Sequence, residues 1–152
     1  MTTTISQAKL QEVLDKITQE VTEKVAGIRL YQAVITPGEK TCTVHADFHS
    51  GFQFGLSMCA DLALFTRLTQ YMMQQEEIQQ QDIEDFVKEY FNVLCGHIAA
   101  GLFQATMIAS RFDVPSFHTG FYQPESMQEQ ITLNYASDKN ESVQLTHNLA
   151  VR

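Results

Sequence analysis

The sequence predicts an α+β domain in which long helices pack on an antiparallel sheet, built from two successive helix–strand–hairpin units. Three observations carry this. Apolar residues recur with helical period in three segments, and short alternating runs pair across turn residues between and after them. The order helix, strand, hairpin then occurs twice, with no repeat of sequence beyond the similarly placed tetrapeptides V-I-T-P and F-D-V-P. A ferredoxin-like or another helix-on-sheet arrangement satisfies the same pattern. At 152 residues the chain, 1–152, reads as a single domain with a substantial core.

The elements follow in order. From Ile5, the residues Leu10, Val13, Leu14, Ile17 and Val21 mark a helix to about Val25, ended by Ala26-Gly27. IRLYQAVIT reads as a strand, stopped by the turn signal Pro37-Gly38. TCTVHADF alternates around Val44, Ala46 and Phe48, and Ser50-Gly51 returns it into FQFGLSM, a hairpin. Leu62, Phe65, Leu68 and Met72 mark a second helix, and the polar run QQEEIQQQ (74–81) a connection. A long amphipathic helix is predicted from roughly Asp82 to Met107, then a strand near Phe117 to Tyr122. ITLNYAS and SVQLTHNL form a final hairpin across DKNE.

Composition narrows the function classes. The residues are 44% hydrophobic and 18% charged, as in a globular protein. Eighteen acids against ten bases give a net charge of −8, and no basic run provides a footing for nucleic acid or an anionic membrane. The start, MTTTISQAKLQEVL, lacks the pattern of a signal peptide, and the apolar run HIAAGLFQATMIA is too short and interrupted to span a bilayer. Cys42, Cys59 and Cys95 are widely spaced and read as buried free thiols, so the expected compartment is the cytoplasm.

The long helix carries the most information. Taking about 100° per residue, Asp85, Glu89, Asn92 and Gly96 lie within about 40° of one line. Ile83, Phe86, Val87, Tyr90, Leu94 and Ile98 fall roughly opposite, between about 100° and 220°, so the line faces outward to solvent or a partner. A structural explanation exists for part of it: with Asp82 as N-cap, Asp85 stands at N3, where an acid suits the helix dipole. Yet Asp85 and Glu89 form a like-charge pair one turn apart, costing about 0.2–0.5 kcal/mol. Asn92 is a poor mid-helix residue, and Gly96 costs about 1 kcal/mol relative to alanine. Cys95, Ala99 and Ala100 flank Gly96 and smooth the same face, as close packing against another element of the chain, or against a partner, requires.

At these residues the sequence resembles the CheC/CheX/FliY family of chemotaxis phosphatases. Its motif of an acid or serine, three residues, a glutamate, two residues, an asparagine and a later proline is met by Asp85, FVK, Glu89, YF, Asn92 and Pro115, with Gly96 four after the asparagine. FHSGFQFGLSM, the helix after it and the last hairpin match the family's order, so the resemblance covers nearly the whole chain. The first helix offers Glu12 with Asp15, and Glu20 with Glu23, but no E-x-x-N. The chain therefore resembles the single-site CheX type. His97 stands where an asparagine is frequent in the family.

The resemblance implies a CheC-like duplicated fold and hydrolysis of the aspartyl phosphate of a CheY-type response regulator. Glu89 and Asn92 would be catalytic, Asn92 holding the attacking water and Glu89 pairing with the receiver's lysine. Asp85, Gly96 and Pro115 would belong to the docking surface. The protein would have no cofactor of its own, the Mg²⁺ being supplied by the receiver. A homodimer is implied too, and an exposed terminal strand could pair edge to edge. The alternative function is a CheC-like adaptor that binds a phosphorylated receiver without hydrolysis, and a third is a structural dimer packed on the same strip. His45 and His49 share a strand face but lack a third ligand at zinc-like spacing. Cys95 reads as core, and His118 and His147 have no assigned role.

Overall fold

The computed structural model describes residues 5–124 and 130–149. Helix α1 (Gln7–Ala26) leads to strand β1 (Leu30–Gln32), the hairpin β2 (Thr41–His49) and β3 (Phe54–Asp61), and helix α2 (Leu62–Met73). Helix α3 (Gln80–Thr106) leads to β4 (Arg111–Phe112), β5 (Ser116–Thr119) and the hairpin β6 (Ile131–Ser137) and β7 (Ser142–His147).

The helix ends follow from local chemistry. The Ser6 side chain accepts from the Lys9 N–H and caps α1. At the other end Gly27 adopts φ 67, where its N–H bonds the Glu23 carbonyl and the next N–H bonds that of Thr22. The Tyr71 ring of α2 lies 2.5 Å from where a Cβ of Gly27 would be, so glycine serves both the turn and the packing. Helix α3 begins earlier than its apolar pattern suggests. Gln79 is the N-cap, and Asp82 reaches back to the Gln79 N–H (2.8 Å) in a capping box. Asp82 is thus N3 rather than the cap, and Asp85 sits one turn further in, without the N3 role expected of it.

The seven strands form one sheet in the order β1-β6-β7-β3-β2-β4, with β5 also pairing β2, and its ladders are antiparallel. Leaving aside the two-residue β4, exchanging β1, β2 and β3 for β5, β6 and β7 maps the order β1-β6-β7-β3-β2-β5 onto itself. The first strand of each unit closes the hairpin of the other, so the twofold repeat read from element order is a repeat in space. Two expectations change. Strand β1 spans only Leu30–Gln32; Ala33 makes one further bond to the Asn134 carbonyl, and Val34, 83% exposed, has left the ladder. The last strand, β7, is not an edge: it lies between β6 and β3, bonded on both sides.

One sheet face is apolar and merges with the inward faces of the three helices into one core, including Val44, Phe48, Leu56, Met58 and Leu145. The opposite face carries Thr43, His45 and Ser57. Thr43 clamps the chain after β5 onto this face: its hydroxyl donates to the Gly120 carbonyl (2.8 Å) and accepts from the Tyr122 N–H (3.2 Å).

Candidate functional site

What α3 shows to the outside is decided by how it is held inside. Ile83, Val87, Tyr90, Phe91, Leu94, Cys95, Ile98 and Leu102 are buried. The Tyr90 hydroxyl shares a 2.6 Å hydrogen bond with the Thr22 hydroxyl of α1, and burial pushes its pKa up, keeping it a neutral partner. At Gly101 a Cβ would collide with the Ile17 side chain, so α1 approaches the α3 backbone there. These contacts set which face of α3 turns toward α1. Phe86 departs from expectation: it lies at the margin of the apolar arc, half-buried and outside the core cluster.

The opposite line points outward. Asp85, Glu89 and Asn92 are exposed. Asp85 accepts a hydrogen bond from the Gln81 amide at 2.9 Å. Glu89 and Asn92 make no hydrogen bond or ion pair among the described residues. Gly96 is half-exposed, and a Cβ there would meet only the Phe112 ring, at 3.9 Å, an ordinary contact. Packing within the chain therefore explains Gly101 but not Gly96. Phe112 belongs to β4, and the connection from β4 to β5 carries Pro115, which is buried. The segment bearing Pro115 thus passes the Gly96 end of the line, and no hydrogen bond joins Pro115 to the Glu89 or Asn92 side chain among the described residues.

The other candidates have structural duties. Cys95 is fully buried, and desolvation raises its thiol pKa, which makes it inert core. His49 bonds Ser50 (3.0 Å) and Asp113 (3.1 Å). His45 bonds Ser57 (2.6 Å) through one ring nitrogen and Asp47 (2.9 Å) through the other, the membership of a nucleophile relay. Among the described residues, Ser57 borders a space of about 10 Å³ that Tyr122 also lines, room for about one water. His118 stacks on Tyr122 with ring centres 3.6 Å apart, and His147 is buried with its Nε2 unpartnered. No three His, Cys, Asp or Glu side chains are grouped to hold a metal ion among the described residues, and no helix there is long and apolar enough to cross a membrane. Sequence reasoning did not find the groove of about 350 Å³ between α1 and α3, where His97 faces Lys9, Lys16 and Glu20; only the packing of two distant helices creates it.

The exposed line has the chemistry of a helper rather than of a self-sufficient catalyst. An asparagine amide can donate to and accept from one water at once, and a glutamate can pair with an incoming cation. Comparison with known proteins supplies the family. The family described as chemotaxis phosphatase CheX matches residues 42–143, from β2 through the whole of α3 into β7. The chain belongs to the CheX family.

Solved structures extend the likeness to the whole fold. The chemotaxis protein CheX of Desulfovibrio desulfuricans superposes with a TM-score of 0.75 at 17% identity, over 93% of this chain and 99% of that one. The CheX of Borrelia burgdorferi, solved as a CheX-CheY-BeF₃-Mg²⁺ complex, gives 0.71 at 11% identity over 91% and 96%. The FliY of Thermotoga maritima gives 0.67 at 11% identity over 96% and 91%. A comparison with curated proteins finds no match. At these identities the superpositions establish the fold, and the family match establishes membership.

Proposed function

We propose that this CheX-family protein hydrolyses the aspartyl phosphate of a CheY-type response regulator, with the line on α3 as its half of a composite active site. The observation that carries the proposal is that the Glu89 and Asn92 side chains, on the outward face of α3, have no partner among the described residues. An acyl phosphate is already reactive, so its hydrolysis needs chiefly a positioned water and screened charge. Asn92 holds the water in line with the phosphorus, as a glutamine does in GTPases. Glu89 pairs with the receiver's lysine and sets the register of the two proteins. The receiver supplies the Mg²⁺. Asp85 lies at the rim, Gly96 lets the receiver's backbone approach, and Pro115 shapes the neighbouring segment. The Borrelia relative in complex with CheY supports this choice of partner, and a receiver-directed reaction belongs in the cytoplasm.

The test is the lifetime of a phosphorylated CheY-type receiver, with wild type, Glu89→Ala and Asn92→Ala compared. Asn92→Ala is expected to lower kcat by about 10²-fold or more while still binding the beryllofluoride-charged receiver. Glu89→Ala is expected to weaken binding as well. Binding without any shortening of the lifetime by wild type would replace the phosphatase with an adaptor. A homodimer also remains part of this proposal. Since β7 is interior, a second copy would pair on an outer strand, and β1, where Tyr31 is 45% exposed, is one such edge.

A further inference from the structure

Lys88 is the only lysine or arginine among the 27 residues of α3. It stands one residue before Glu89 and one turn before Asn92, on the flank of the line, with its stem half-buried. A glutamate four residues N-terminal to a lysine is the favoured geometry for an ion pair along a helix, and Glu84 occupies that position. The pair does not form: the Glu84 carboxylate accepts from the Gln81 amide at 3.0 Å, and Lys88 makes no ion pair or hydrogen bond among the described residues. In a chain of net charge −8, the ammonium beside the candidate water-positioning amide is thus left for an external anion.

We propose that Lys88 is a phosphoryl-recognition residue, whose ammonium meets the anionic phosphoryl group of the partner while Glu89 and Asn92 act on either side of it. This rests on the reading of α3 as half of a composite site. The physical need is plain: two acids on the same line, Asp85 and Glu89, repel an approaching phosphoryl dianion, and one lysine at the flank offsets that locally. It also makes docking depend on whether the receiver is phosphorylated, because the added charge is what the lysine contacts.

The experiment measures binding of a CheY-type receiver in two forms, uncharged and charged with beryllofluoride and Mg²⁺, to wild type, Lys88→Gln, Lys88→Arg and Asn92→Ala, at low and high salt. Lys88→Gln is expected to reduce the preference for the charged form by about fivefold and to flatten its salt dependence, with Lys88→Arg restoring both. On the phosphorylated receiver the same loss is expected in KM, with kcat within about twofold of wild type. An unchanged preference and salt dependence in Lys88→Gln overturns the proposal. Wild type binding neither form overturns it together with the reading of the site. Wild type that prefers the charged form but leaves a phosphorylated receiver's lifetime unchanged refutes hydrolysis alone, and the Lys88→Gln preference then still decides the role of Lys88.

Discussion

A glycine in the middle of a helix needs a reason, and α3 has two with different ones. Gly101 is explained within the chain, since the Ile17 side chain occupies the space a Cβ would take. Gly96 is not, because its nearest neighbour is the Phe112 ring at an ordinary 3.9 Å. Gly96→Ala is therefore expected to stabilise the protein by about 1 kcal/mol, raising Tm by about 3 °C in a thermal melt. On the proposed docking role of Gly96, the same substitution is expected to weaken receiver binding in the assay above, since a methyl group would then stand where the partner backbone is proposed to approach. A loss of stability would instead place the glycine in the service of the fold. Asp85, Glu89, Asn92 and Gly96 were readable as a line because the 3.6-residue period is a local property. That Gly96 has room for a Cβ was not, because the space is bounded by Phe112 from a distant strand.

At the level of elements, the outward presentation of the site depends on how α1 grips α3. The Tyr90–Thr22 hydrogen bond and the close approach at Gly101 lie on the face opposite or beside the line, and together they fix rotation about the helix axis. Gly101→Val is expected to force the two helices apart at a cost of about 1–3 kcal/mol, read as a lower midpoint in urea denaturation. Phosphatase activity at temperatures well below the new Tm should fall as well, since a shift of about 1 Å at the positioned water is enough to slow the reaction. The extent of α3 was legible to within two residues, and its cap was not. The apolar pattern begins at Ile83, whereas the helix begins where the Gln79–Asp82 capping box satisfies its free N–H groups. The two-residue β4 went unread because so short a strand has no period of its own; it exists because Phe48 and His49 of β2 offer it an edge.

The whole molecule carries an acid sensitivity built from burial. His147 lies buried at the end of β7, between β6 and β3, with its Nδ1 accepting from the Leu149 N–H and its Nε2 unpartnered among the described residues. Desolvation lowers its pKa below the usual 6.5. His118 is lowered as well, by burial and by the neighbouring His45. Between 6.5 and these depressed values the unfolded chain binds more protons than the folded one, so stability rises with pH across that window and falls on acidification. Asp15 acts at lower pH. Its burial opposes ionisation, yet hydrogen bonds from Gln19, Tyr135 and Gln32 win and hold it below 3.8, so its contribution is lost only as pH falls beneath that value. Urea denaturation from pH 7.5 down to 3 should show a first decline beginning near 6.5, shallower in His147→Gln. An identical slope in that variant would acquit His147.

By itself the sequence determined three helices, two hairpins and one helix face at odds with helical economy, because periodicity and turn chemistry act over a few residues. It also carried enough of a motif to place the chain among the CheX-like proteins. Only the tertiary structure decided that the two units exchange their first strands, that the last strand is interior, and that Gly96 has space beside it. It likewise decided that Lys88 lacks a partner among the described residues. Each of these is set by residues far apart in the chain, whose meeting no local pattern specifies.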